Sequence, residues 1–289
     1  MPNSRLALLT SLAIIAFAGN SLLCRIALRH TSIDAASFTT IRLVSGAMML
    51  WLISLMRRGT HTGRGNWISA FTLFAYAAGF SYAYVRLSAA TGVLLLFGSV
   101  QATMIGYGIW TGERLLRLQV VGLILAFAGV VSLLLPGLSA PPLPSSLLML
   151  GAGFAWGAYS LRGRSGGDPT LVTAGNFLRA VPIALALNVF MHGSFSLDRA
   201  GFWYAISSGA LASGIGYIIW YTALPALKAT SAATVQLIVP VIVALGGIIF
   251  LNEPITLRLL FSAIAILGGI ALVILQKQHV RHKLSDFRA

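Results

Sequence analysis

The stretch Phe250-Leu-Asn-Glu-Pro-Ile-Thr-Leu-Arg-Leu-Leu260 decides the reading of this chain. A long apolar run stops at Glu253 and Pro254, and a second apolar run begins at once. The stretch "IWTGERLLRLQ", residues 109–119, does the same around Glu113. The two glutamates lie 140 residues apart in a chain of 289, close to half its length. Two such marks at half-chain spacing predict an internal repeat.

Composition says what is repeated. The chain is 57% hydrophobic and 9% charged, with a mean hydropathy of +0.88. A soluble domain carries about 25% charged residues, so this chain lacks the charge to clothe a water-facing surface. Apolar runs of about 20 residues, the length that crosses a bilayer core, fill nearly all of it. An outer-membrane barrel would show short alternating segments instead. The expected fold class is an all-α integral membrane protein of ten transmembrane helices, arranged as two inverted five-helix repeats. The ten spans are read at roughly 6–28, 35–56, 67–87, 89–111, 117–135, 145–161, 170–191, 201–223, 229–251 and 256–276. The start, Arg5 followed by "LALLTSLAII" and Ala16-Phe17-Ala18, has the outline of a cleaved signal. The apolar run continues past Leu23, so it is read as an uncleaved first helix.

The net charge of +14 does not point to nucleic acid, because the basic residues sit in short loops between apolar runs. With the N-terminus inside, 13 Lys and Arg fall in inner segments and 5, including Arg25 and Arg29, in outer ones. The positive-inside rule then puts both termini in the cytoplasm of a bacterial-type inner membrane. The expected organisation is a first repeat over 1–136, an uncharged proline-rich outer linker over 137–144, a second repeat over 145–276 and a basic tail over 277–289. Cys24 is the only cysteine, which leaves no intrachain disulfide and no cysteine metal site.

A shift of 140 carries Glu113 onto Glu253, Ile124 onto Ile264 and Gly129 onto Gly269. Shifts of 135 to 138 carry Tyr82 onto Tyr217, Arg42 onto Arg179 and Gly19 onto Gly157. Five spans is an odd number, so the second half enters the membrane in the opposite sense. Such repeats build secondary transporters, with the site near the midplane where the halves meet. Each glutamate ends the fourth span of its half, where its charge is expected to reach water.

These features resemble the drug/metabolite transporter superfamily, in its EamA-type branch. The resemblance rests on "GERLLRLQVVGLILAFAGV", "NEPITLRLLFSAIAILGGI", "AWGAY" and "YTALPALKATSAATVQLIVPVIVALGG", and it covers essentially the whole chain. The first half departs from the pattern, with Val100 at the position of Pro240 and Arg114 at that of Pro254. Within the superfamily the size and aromatic content are similar to those of aromatic amino acid exporters. The resemblance implies a ten-helix inner-membrane exporter with a central cavity.

Polar and amphipathic residues at mid-membrane depth are the candidates for lining such a cavity. The substrate-binding set is Asn20, Tyr82, Gln101, Trp156, Tyr159, Tyr217 and Gln236, with Pro240 as a hinge or gate. Asn and Gln amides suit an ammonium or carboxylate, and Tyr and Trp rings suit an aromatic body. Each has a plainer reading as helix packing or interfacial belt, and Trp51, Trp67, Trp110 and Trp203 are read as belt residues. Arg42 and Arg179 stand inside spans. Their sequence symmetry favours capping of backbone carbonyls, and the alternative is an anionic substrate held between them.

No Asp, Glu or His stands at mid-span, so no proton relay of the usual kind is visible. That favours facilitated diffusion over proton antiport. No catalytic constellation, cofactor motif or nucleotide-binding signature is present, so neither enzyme activity nor a cofactor is expected. The expected partners are a small molecule, an amino acid in the leading reading, and the lipid bilayer; no oligomer is required.

Overall fold

The computed structural model describes residues 3–56, 63–112, 115–137, 140–163, 168–191, 196–223, 226–227 and 235–286, with side chains from 4 to 275. Within these residues all regular secondary structure is helical. The helices are α1 (Asn3–His30), α2 (Ala35–Met56), α3 (Trp67–Tyr84), α4 (Ala89–Trp110) and α5 (Arg117–Leu134), then α6 (Leu143–Arg162), α7 (Pro169–Phe190), α8 (Arg199–Ala223), α9 (Ile238–Leu251) and α10 (Leu257–Asp286). Glu113, Arg114 and the expected start of the ninth span at 229–234 lie outside the described residues.

Seven of these helices are long and apolar enough to span a membrane by length and composition. The others are α3, α6 and α9. The first two carry Tyr, Ser and Gly where their neighbours carry Leu and Ile, and α9 has only 14 residues. In lipid every backbone polar group needs an internal partner, and each helix start leaves orphan N–H groups. Several of the polar residues meet this need. Asp34 accepts from the N–H groups of Ala36 and Ser37, Asn66 from Ser69, Ser88 from Thr91, Asp168 from Thr170 and Asp198 from Gly201. Three of the six acids are thus helix caps, placed where the helix dipole favours negative charge. Asn252 stops α9 in the left-handed conformation (φ 50°, ψ 35°), and Pro254 cannot continue the helix. This is the physical content of the opening stretch.

The helix contacts repeat when the halves are exchanged. The pairs α3·α6 and α4·α6 of one half correspond to α8·α1 and α9·α1 of the other, and α2·α8 corresponds to α7·α3. The pairs α2·α7 and α5·α10 map onto themselves, so they lie on the pseudo-twofold axis. At α5·α10 a Cβ on Gly122 would stand 2.6 Å from the Gly269 carbonyl oxygen, and one on Gly269 closer still to that of Gly122. Only glycines permit that backbone approach, the usual device for packing helices where no water drives association.

Glu253 corrects one expectation. It does not reach water: it is 6% exposed. Its carboxylate accepts from Arg25 Nε at 2.8 Å and from the Ala89 N–H, at the start of α4, at 2.7 Å. Arg25 in turn donates to the carbonyls of Tyr84 and Val85, at 2.8 and 3.2 Å. The charge pattern of the sequence places Arg25 among the loop charges, yet it is buried in α1. A burial of this kind is tolerable because the ions meet each other and their remaining polar atoms meet backbone. One pair thereby ties together α1, the end of α3, the start of α4 and the end of α9.

Candidate functional site

A cavity of about 390 Å³ lies between the halves, within the usual range for small-molecule sites. Its wall combines Phe17 and Asn20 of α1, Tyr76 of α3, Phe97 and Gln101 of α4, Trp156 of α6, Tyr217, Trp220 and Tyr221 of α8, and Gln236 just before α9. Gly163 and Pro169 also line it, so it reaches the face at which α6 ends and α7 begins. Toward the opposite face the space is filled. Tyr84, Phe80 and Cys24 are fully buried there, and the Arg25–Glu253 pair lies at the turn between α3 and α4.

The rings form one connected group. Trp156 stands with its centroid 4.8 Å from Tyr76, 5.1 Å from Tyr217 and 5.5 Å from Tyr159, on which it stacks. Phe17 meets Tyr217 and Trp220 edge to face at 6.1 and 5.7 Å. Asn20 is fixed from two sides. Its Oδ1 accepts from Ser208 Oγ at 2.7 Å and its Nδ2 donates to the Tyr76 hydroxyl at 3.3 Å. Behind Tyr76 lies Arg42, 1% exposed. Its Nη2 donates to the same hydroxyl at 3.2 Å, and its Nε donates to Ser213 Oγ at 3.3 Å.

Ser213 belongs to a π-helical stretch of α8, Ser207–Ile215. Such stretches are rare and concentrate at functional sites. The sequence there, "SSGALASGI", is small enough for α2 to lie against the backbone. A Cβ on Gly209 would fall onto the Arg42 carbonyl and Ser45 Oγ.

Five of the seven expected binding residues, Asn20, Gln101, Trp156, Tyr217 and Gln236, border the cavity together. Tyr159 stands one layer back, buried, its hydroxyl accepting from Asn176 Nδ2 at 3.3 Å. Tyr82 is away from the cavity, on the last turn of α3 and within electrostatic reach of Asp34. Its repeat mate Tyr217 faces inward. The two differ because the π turns of α8 rotate each residue less than α turns do, so the faces of α3 and α8 fall out of register. Pro240 is buried in the first turn of α9, where its missing N–H would have no helical acceptor in any case.

Arg42 and Arg179 also part company. Arg179 is half-buried, and its Nη1 donates to the carbonyls of Arg64 and Gly175, which is the capping role. Tyr76 is a central wall residue that the expected set lacks. The signal that would have found it is its spacing from Phe80 and Tyr84, which puts all three on one face of α3.

Comparison with known proteins gives a consistent result. The model of the "EamA-like transporter family" matches residues 4–135 and 143–275. An uncharacterized protein of Pseudomonas aeruginosa is 57% identical over 275 residues, covering 95% of this chain and 96% of its own length. An uncharacterized transporter of Bacillus subtilis is 26% identical, covering 94% and 92%, and one of Archaeoglobus fulgidus is 26% identical, covering 96% and 99%. A protein crystal structure superposes with a TM-score of 0.66 at 18% identity, over 95% of this chain and 99% of that one; at that identity it speaks for the fold alone.

Proposed function

The chain belongs to the EamA-like transporter family, and from that premise we propose that it carries amino acids with aromatic or bulky apolar side chains across a bacterial inner membrane, both termini cytoplasmic. The observation that carries this reading is the composition of the cavity. Seven aromatic side chains, Phe17, Tyr76, Phe97, Trp156, Tyr217, Trp220 and Tyr221, surround it, with the amides of Asn20, Gln101 and Gln236 among them. Rings supply apolar area with fixed geometry, and amides serve either end of a zwitterion.

Transport follows by alternating access. The cavity reaches one face while Arg25–Glu253 holds the other closed. Opening that face requires the pair to separate and the α1–α4 contact to part. Among the described residues lining the cavity none is Asp, Glu or His, which supports movement down the solute gradient with no proton exchanged. Uptake of labelled phenylalanine and tryptophan into proteoliposomes tests both points. Saturable uptake that stops at equilibrium, unaltered by an imposed pH gradient, is expected. Accumulation above equilibrium driven by the pH gradient refutes the uncoupled mechanism, and uptake no greater than in empty liposomes refutes the substrate.

A further inference from the structure

Arg42 presents an unusual electrostatic situation. A guanidinium stays protonated at any depth, and a buried cation normally meets a carboxylate. Among the described residues both ion pairs use Glu253, with Arg25 and Arg29, and the aspartates Asp34, Asp168 and Asp198 cap helices. Arg42 instead meets two hydroxyls and the rings of Tyr76 and Phe80, at 5.2 and 5.1 Å from their centroids. Its Nη1 is buried and has no hydrogen-bond partner among the described residues. The protein therefore holds a full positive charge one side chain away from the cavity, uncompensated by any described acid.

The link to the cavity is the Tyr76 hydroxyl. It accepts from both Arg42 Nη2 and Asn20 Nδ2. Its two acceptor positions are then occupied, and its own proton is left to donate. Donation by a hydroxyl that itself accepts from a cation is strengthened by polarisation. Its natural acceptor is an anion in the cavity that Tyr76 lines. No acid lines the described wall to hold an ammonium.

We infer that the cavity selects its solute by a carboxylate, bound through the Tyr76 hydroxyl and charge-balanced by Arg42, and that an ammonium group is not required. The substrate class is thereby aromatic or bulky apolar monocarboxylates, of which amino acids are one subset. The inference rests on the reading of the cavity as the solute site.

The test is titration of the purified protein with 3-phenylpropionate and with phenethylamine, which share one aromatic body and carry opposite charges, followed by quenching of tryptophan fluorescence. Wild type is expected to bind the carboxylate at least tenfold more tightly than the amine. Arg42→Gln is expected to bring that ratio to within about twofold, and Arg42→Lys to retain part of it. Tyr76→Phe keeps the ring and is expected to weaken the carboxylate by roughly tenfold to a hundredfold, the range for a hydrogen bond to a charged group, while leaving the amine unchanged. Equal binding of the two probes, or a ratio unmoved in both Arg42→Gln and Tyr76→Phe, overturns the carboxylate inference and leaves the cavity reading standing. Absence of quenching by either probe overturns the cavity reading and this inference with it.

Discussion

Replacing Glu253 by Gln tests the closure of the face opposite the cavity mouth. In the wild type the carboxylate is met by Arg25 Nε at 2.8 Å and by the Ala89 N–H at 2.7 Å, with the two ionic side chains only 6% and 5% exposed. The amide in the Glu253→Gln variant would keep one carbonyl oxygen for one of these donors and turn an NH2 group toward the other. Losing one member of a buried ion pair costs about 3–5 kcal/mol. The lower end applies here, because one acceptor survives and the half-exposed Arg29, at 3.7 Å, loses little. About 3 kcal/mol is roughly a 150-fold change in an equilibrium constant. The pair joins α1 to the start of α4 and the end of α9, so that energy favours the form in which this face is open. Cys24, the only cysteine, is fully buried next to Arg25 and provides the reporter. The expected result is a rise of about two orders of magnitude in its rate of alkylation by a charged maleimide, with unchanged elution and helix content. The double variant Arg25→Met with Glu253→Leu should return the rate most of the way to wild type, since replacing both ions by apolar groups avoids the unpaired charge. A rate for Glu253→Gln within twofold of wild type would refute the assignment of the pair as a closure.

Three further outcomes are expected. Gly209→Ala forces a methyl onto the Arg42 carbonyl and should lower stability by about 1–3 kcal/mol, seen as a drop in the thermal midpoint, whereas Gly151→Ala, with nothing within 4 Å, should shift it by no more than about 0.5 kcal/mol. Asn66→Ala removes the cap of α3 and the acceptor for Ser69 N–H, with an expected loss of about 1 kcal/mol and little effect on equilibrium uptake. Trp156→Ala removes the ring shared by Tyr76, Tyr159 and Tyr217 and should weaken aromatic solutes by roughly tenfold or more, given about 0.5–1.5 kcal/mol per ring pair beyond burial; liposome uptake measures it.

The architecture was legible because lipid leaves few alternatives. Charge-poor runs of spanning length, broken at a Glu that recurs at a 140-residue offset, admit helices and little else. Of the polar and aromatic residues read inside spans, Asn20, Gln101, Trp156, Tyr217 and Gln236 border one cavity. Helix facing was not. It depends on local turn geometry, and the π stretch at Ser207–Ile215 shifts α8 against α3 in a way that no residue spacing announces. Burial of charges at the span ends was not legible either. Arg25 and Glu253 are 228 residues apart, and nothing local to either predicts that the other will arrive to make burial tolerable.

The repeat explains why Arg42 and Arg179 stand at matching positions and yet behave differently. In the alternating-access reading proposed above, a carrier of two inverted halves occupies one face-open arrangement at a time, so equivalent residues are held in unequal surroundings. In this arrangement Arg179 caps the carbonyls of Arg64 and Gly175, while Arg42 is sealed beneath the cavity and, among the described residues, meets hydroxyls and rings but no carboxylate. A cation left in that state raises the free energy of the empty carrier, and an anionic solute relieves it. The relief is a differential interaction, because it is available only where Tyr76 faces a solute-filled cavity, and only such a difference can shift a conformational equilibrium. Arg42 therefore joins recognition to the opening step. A carboxylate should raise or lower Cys24 alkylation by the same factor by which it prefers one face-open form, phenethylamine should leave the rate unchanged, and in Arg42→Gln the carboxylate should lose its effect. A carboxylate effect of full size in Arg42→Gln would break that link.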